Sequence, residues 1–214
     1  MSSRPPETWA AQTPRGAAEV ELTRPGGEPT ALLALGHGAG GGVDAPDLRA
    51  VRAAALDSGL AVVRITQPYR VAGRRAPAPT GQLDQAWTAV LAAVRAEPDL
   101  AGIPLVAGGR SSGARVACRT AAATGAAGVV ALAFPLHPPG RPEKTRLAEL
   151  DGAVPTLVVN GDRDPFGVPP ERPGVTVVVR PGEKHDLRRD PAGVAGAVLE
   201  FLRGHDWAAV PASG

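Results

Sequence analysis

Apolar positions along this chain follow two alternating rhythms. Short, almost wholly apolar runs recur at TALLALG (30–36), LAVVRI (60–65), IPLVAGG (103–109), GVVALAF (128–134), VPTLVVNG (154–161) and GVTVVV (174–179). Runs of this length without polar alternation predict strands of a parallel sheet covered on both faces. Between them the period lengthens to that of a helix. PDLRAVRAAALDSG starts with Pro46 at a first helical position and closes at Gly59. LDQAWTAVLAAVRAEP places Leu83, Trp87, Val90, Leu91 and Val94 on one face. DPAGVAGAVLEFLRG has Asp190 as cap, Pro191 behind it, and Val194, Val198, Phe201 and Leu202 facing inward. Strand and helix alternating in this way predict an open, doubly wound, mostly parallel α/β sheet with helices on both faces. AEVELT (18–23) alternates singly and predicts an extra antiparallel strand at the sheet's edge. The first 17 residues are rich in Pro, Thr, Ala and Gly without periodicity and are expected as a loose tail; one domain is expected over 18–204, with a short tail over 205–214.

Composition narrows the class. The 214 residues suffice for one substantial core and are few for two. With 43% hydrophobic and 21% charged residues the chain reads as globular, and with only 3% aromatics its core is built from small side chains. The net charge of +2 is near balance, and no basic block exceeds Arg74-Arg75 or Arg188-Arg189, so neither nucleic acid nor a membrane surface is an expected partner. The single cysteine, Cys118, excludes an internal disulfide, and MSSRPPETWAAQTPRGAA lacks the apolar centre of a secretion signal. No segment offers the roughly 18 apolar residues of a membrane span. A cytoplasmic setting is the expectation.

In open α/β sheets, chemistry collects beyond the carboxyl ends of the strands. There the chain carries Gly36-His37-Gly38-Ala39-Gly40-Gly41, then Gly109-Arg110-Ser111-Ser112-Gly113, then Asp162 and Asp164, then His185. The second group fits G-x-S-x-G, in which a serine on a strained strand-to-helix turn needs small neighbours two before and two after it. Only Ser111 satisfies that frame, since Ser112 would have Arg110 at the first glycine position. With 27 glycines and 6 serines in the chain, about 0.1 chance matches are expected, so its place between an apolar strand and the helix-capable SGARVACRTAAA strengthens the reading. The turn would aim the Ser112 N–H at the oxygen of an attacked carbonyl. Serine, acid and histidine follow in that order, with His185 arriving where a base would meet Ser111. For the acid, Asp164 follows the turn at Asn160-Gly161, whereas Asp162 suits the turn itself.

Other residues read more plainly. His37 is expected under its glycine loop, hydrogen-bonded to backbone, and His137 either lines a pocket or sits in a loop. Gly38 and Arg110 complete the candidate pocket with those two histidines. His205 is expected in solvent, and Cys118 as a buried, inert thiol on the helix after the elbow.

With LGHGAGG (35–41), GGRSSGARVA (108–117), FPLHPPGRPEK (134–144), NGDRDPFG (160–167) and GEKHDL (182–187), the chain resembles the α/β-hydrolase superfamily, in particular its small, lidless dienelactone-hydrolase-like and KANL/Tex-like members. The likeness spans roughly residues 18 to 204. It implies an α/β-hydrolase fold with Ser111 as nucleophile, Asp164 as orienting acid and His185 as base. It also implies an oxyanion hole from the N–H groups of Ser112 and Ala39. No helical lid is expected, because only about 20 residues separate GVVALAF from VPTLVV. The activity implied is hydrolysis of a small carboxylic ester or thioester through an acyl-enzyme, without cofactor or metal; the acyl group and the oligomeric state stay open. Two other classes compete. Gly36-x-Gly38-x-x-Gly41 also spells the dinucleotide fingerprint, although the helix-like spacing starts only near Pro46 and the next strand carries Arg64 in place of an acid. A hydrolase fold serving as a non-enzymatic interaction module is the other.

Overall fold

The structure, a computed structural model, describes residues 3–209. In chain order its elements are β1 (Glu7–Thr13), β2 (Gly16–Thr23), β3 (Leu32–Gly36), α1 (Pro46–Asp57), β4 (Ala61–Thr66), α2 (Pro68–Val71), α3 (Thr80–Val94), β5 (Leu105–Arg110), α4 (Ser112–Thr124), β6 (Gly128–Leu132), β7 (Thr156–Gly161), β8 (Val175–Arg180) and α5 (Pro191–Gly204), with a single 3-10 turn at Leu147–Glu149. The eight strands form one sheet in the order β1-β2-β4-β3-β5-β6-β7-β8. The first two pairs, β1–β2 and β2–β4, are antiparallel and the remaining five are parallel.

Period-two alternation divides the inner strands between two cores. Leu33, Leu35, Val62, Val106, Val130 and Val159 pack with Leu48, Val51, Val194, Val198 and Leu202 of α1 and α5. Leu32, Ala34, Val63, Ala107, Ala131 and Val158 pack with Trp87, Leu91, Ala114 and Ala117 of α3 and α4 on the other face. Because both faces are covered, β3 and β6 are wholly buried, which is why their sequences show no polar alternation. The register sets Gly36 beside Gly109, Arg110 beside Leu132, Leu132 beside Val159, and Gly161 beside Arg180. Four loops therefore leave the sheet along one edge, and these are the loops that carry His37, Ser111, Asp164 and His185.

Three sequence expectations need correction. Residues 7–13 are not a loose tail: β1 pairs with β2 through a two-residue turn in which the Thr13 hydroxyl donates to the Gly16 carbonyl at 2.6 Å. Only Trp9 and Ala11 of that strand are substantially covered by the core, too few inward positions to register as a periodic pattern. Consequently β2 is an inner strand, and β1 forms the edge. At the other end His205–Ala209 is docked. Trp207 is buried against Gly128, its carbonyl accepts from Thr30 Oγ1 at 2.9 Å, and the Ala209 N–H donates to the Ser58 carbonyl at 2.9 Å. Residues 210–214 lie outside the described residues. Between β6 and β7 there is no helical lid, only the single turn at Leu147–Glu149.

Candidate active site

Ser111 occupies the step between β5 and α4 with φ 53° and ψ −107°, a left-handed conformation that L-residues avoid at a cost of order 1–3 kcal/mol. Its N–H donates to the Leu132 carbonyl at 2.9 Å, which locks the turn to β6. The two glycines of the motif have a common cause. A Cβ at Gly109 would lie 2.6 Å from the Gly36 carbonyl oxygen, and one at Gly113 would lie 2.5 Å from the same atom and 2.9 Å from the His37 oxygen. The elbow is thus pressed onto the end of β3, and a Cβ added at Gly38 would lie at ordinary contact distance, 3.5 Å, from the Ser111 Cβ.

The acid and the imidazole come from two loops that brace each other. Asn160, fully buried at the end of β7, accepts from the Phe134 N–H at 2.8 Å and donates to the carbonyls of Phe134 at 2.9 Å and Gly167 at 3.1 Å. Glu183, 1% exposed, accepts from the Asp190 N–H at 2.6 Å, and its carbonyl accepts from the Arg163 N–H at 3.0 Å. Asp162 bridges the two loops by accepting from the Gly182 N–H at 2.7 Å, and makes no contact with the imidazole. Asp164, its carboxylate completely buried, accepts from the Phe166 N–H at 2.9 Å and from His185 Nδ1 at 2.8 Å. His185 Nε2 lies 2.9 Å from Ser111 Oγ. An ionised carboxylate only accepts, so Nδ1 carries the proton and Nε2 presents its lone pair to the serine hydroxyl. The Phe166 ring lies against the imidazole, with centroids 4.2 Å apart and planes inclined at 36°.

The glycine loop after β3 is held from behind. His37, 3% exposed, accepts at Nε2 from the Gln67 N–H at 3.0 Å and donates from Nδ1 to the Gly38 carbonyl at 2.8 Å. Burial pushes its pKa below the usual histidine range, so it is a neutral scaffold and not a second base. The bond from His37 Nδ1 fixes the Gly38–Ala39 peptide, the Tyr69 hydroxyl donates to the Ala39 carbonyl at 2.9 Å and fixes the next one, and Ser112 opens α4, where N–H groups have no acceptor within the helix. No hydrogen bond joins His137 to Ser111 or His185. Its imidazole abuts Gly167 of the acid loop, its N–H donates to the Phe166 carbonyl at 3.1 Å, and its Nδ1 donates to the Pro138 carbonyl at 2.9 Å. Arg110 turns from the elbow toward the His185 carbonyl, 3.1 Å away. Cys118 is half-buried against the core, its thiol pushed up to about 12 by burial, and His205 is exposed.

Four contributors escape sequence reasoning: Phe166, Asn160, Glu183 and Asp47. Phe166 stands inside the NGDRDPFG segment, two residues from the acid, and that adjacency was the available signal. Asn160 enters the sequence reading only as part of the Asn160-Gly161 turn and the NGDRDPFG segment, Glu183 only within GEKHDL, and Asp47 only within the helix that starts at Pro46. The dinucleotide fingerprint finds no geometry here. Gly41 leads into a loop, α1 begins only at Pro46, and Arg64 is committed to Glu21 at 2.6 Å and Asp44 at 2.7 Å. Among the described residues no cluster of three or more His, Cys, Asp or Glu could hold a metal ion, and no helix is long and apolar enough to cross a membrane. A surface depression of about 570 Å³ lined by Asp44, Pro46, Arg49, Arg52 and Arg64 does not include Ser111, Asp164 or His185.

With this geometry in hand, likeness to known proteins is informative. A family described as an alpha/beta hydrolase domain matches residues 29–181, and the chain belongs to that family. No curated protein matches the sequence. Among solved structures, an α/β serine hydrolase without a lid from Xanthomonas campestris is similar at TM-score 0.75 and 22% identity, covering 98% of this chain and 97% of its own. An alpha-beta serine hydrolase homologue from Coxiella burnetii gives 0.73 and 21% over 92% of this chain and 96% of its own. A dienelactone hydrolase from Anabaena variabilis gives 0.73 and 18% over 94% and 99%. The fold is therefore the lidless α/β-hydrolase fold.

Proposed function

We propose that the protein is a serine hydrolase that cleaves a small carboxylic ester or thioester through an acyl-enzyme. The observation that carries this reading is the unbroken line of hydrogen bonds from Asp164 through His185 to Ser111, at 2.8 and 2.9 Å. His185 Nε2 takes the Ser111 proton as Oγ attacks the carbonyl carbon, and the C=O electron pair moves onto oxygen. Asp164 holds the tautomer this requires and stabilises the imidazolium while it lasts. The N–H groups of Ser112 and Ala39 receive the oxyanion, and the elbow strain and the His37 bond to the Gly38 carbonyl, which shares its peptide with the Ala39 N–H, set their directions before substrate arrives. The imidazolium then protonates the leaving alcohol or thiol. Water, deprotonated by the same nitrogen, releases the acid and restores Ser111. No lid covers the site, and Ser111 and His185 both keep partial exposure, which favours compact substrates bound mainly at the reacting group.

The test is a screen of activated esters of increasing acyl length, thioesters and lactones against the wild type and Ser111→Ala. Hydrolysis of at least one class by the wild type, lost by 10³-fold or more in Ser111→Ala, is expected from the role of a triad nucleophile. Equal residual hydrolysis by both proteins contradicts the reading.

A further inference from the structure

Arg110, the residue before Ser111, makes contacts that the steps above leave unused. Its side chain is 15% exposed, Nη2 donates to the His185 main-chain carbonyl at 3.1 Å, and Nε lies 3.2 Å from Asp47 Oδ2. Asp47 stands in the first turn of α1 with no exposure to solvent. Neither of its carboxylate oxygens is met by a donor at full hydrogen-bond geometry. Burial pushes its carboxyl up, and the Arg110 guanidinium is the leading influence against that shift. One guanidinium thus joins α1, the elbow and the loop that carries His185.

We propose that Arg110, held by Asp47, is a positioning residue that sets the main chain of His185 against Ser111. Arg110 is covalently next to the nucleophile, so its bond to the His185 carbonyl fixes the spacing of nucleophile and base through a single side chain. A planar guanidinium can present different N–H groups to the carboxylate and to the carbonyl at once; a lysine ammonium at the same place has no such fork. Asp47 has a second use. A lone cation bonded to the His185 backbone would oppose the positive charge that the imidazole acquires in each turnover, and a negative charge on Asp47 acts against that field.

The proposal rests on the triad reading above, and its test separates the two. The measurements are the rate at which a fluorophosphonate labels Ser111, and kcat and KM on an ester that the wild type cleaves, for Arg110→Lys, Arg110→Met, Asp47→Asn and Asp47→Asn combined with Arg110→Met. Arg110→Lys and Arg110→Met are expected to lower kcat and the labelling rate by about ten- to a hundredfold, the cost of displacing a catalytic group by up to ~1 Å, with KM changed less than about twofold. Asp47→Asn should lose less, and the double variant no more than Arg110→Met alone, because both act through one contact. Folded Arg110→Lys labelled within about twofold of the wild-type rate overturns the proposal, and so do losses that multiply in the double variant. Should Arg110→Met fail to fold, Arg110→Lys and Asp47→Asn decide. If the wild type takes no label, the triad reading fails by itself. The clamp is then judged by amide hydrogen exchange over residues 181–189, which it requires to quicken in Arg110→Lys and which overturns it if unchanged.

Discussion

Gly113→Ala tests whether the elbow's glycines are there for space. The added methyl would lie 2.5 Å from the Gly36 oxygen, 2.6 Å from the Gly36 carbonyl carbon and 2.9 Å from the His37 oxygen. All three are main-chain atoms, at the rigid end of a central strand, so no side chain can rotate away. Relief to the ordinary 3.4 Å requires the first turn of α4 to withdraw by up to about 0.9 Å. Such overpacking costs about 1–3 kcal/mol, a fall in Tm of roughly 2–12 °C for a domain of this size. The withdrawal carries Ser111 and the Ser112 N–H with it, and a misplacement near 1 Å costs about a hundredfold in turnover. Gly196→Ala is the control: it lies in α5 with nothing within 4 Å of the new methyl, and should raise stability by up to about 1 kcal/mol without changing kcat. Thermal melting followed by circular dichroism and initial rates on one ester measure both variants. Gly113→Ala with a Tm within about 1 °C of wild type and kcat within about twofold would refute the steric account.

Asp164→Asn should lower turnover by roughly 10⁴, because an amide facing Nδ1 selects the wrong tautomer, whereas Asp162→Asn keeps an acceptor for the Gly182 N–H and should cost less than about tenfold; steady-state kinetics on both compares them. His37 titrates below its ordinary 6.5 because burial penalises its charged form, so its contribution to stability is complete above 6.5 and is lost as pH falls through its folded value. The slope is at most about 1.4 kcal/mol per pH unit, and melting curves from pH 7.5 to 5 should show that part of the slope disappear in His37→Gln. Trp207→Ala should destabilise by about 3–5 kcal/mol, since the ring is buried against Gly128 beneath the end of α5; chemical denaturation measures it, and a loss below about 1 kcal/mol would mean that His205–Ala209 is not docked as described.

What could be read in advance depended on how many neighbours a residue needs to declare its role. β3 to β7 were legible because burial on both faces leaves them almost wholly apolar, β8 because its valines persist although it is an exposed edge, and α3 because Leu83, Trp87, Val90, Leu91 and Val94 all turn to one side. The elbow was legible because its glycines frame Ser111 contiguously in sequence, although the atoms they make room for, the Gly36 and His37 oxygens, lie at the end of β3. β1 was not, since its docking rests on Trp9, Ala11 and cross-strand bonds whose partners lie in β2. Trp207 was not, because the groove it fills is made by Gly128 and other residues far away in sequence. The site divides in the same way. Ser111 and His185 can be found by motif and order. The choice of Asp164 over Asp162 turned on loop direction, which the contacts to Phe166 and Gly182 now describe. Arg110 with Asp47, and Phe166 over the imidazole, exist only once three distant segments meet.

The central claim is that Ser111 is a nucleophile activated by His185. Peptide mass spectrometry after reaction with a fluorophosphonate, on the wild type, Ser111→Ala, Ser112→Ala and His185→Ala, tests it most directly. The account predicts a single adduct on Ser111 in the wild type and in Ser112→Ala, no adduct in Ser111→Ala, and labelling of His185→Ala slowed by at least about a hundredfold through loss of the general base. An adduct on Ser112, or labelling of Ser111 that proceeds equally fast without His185, would contradict it.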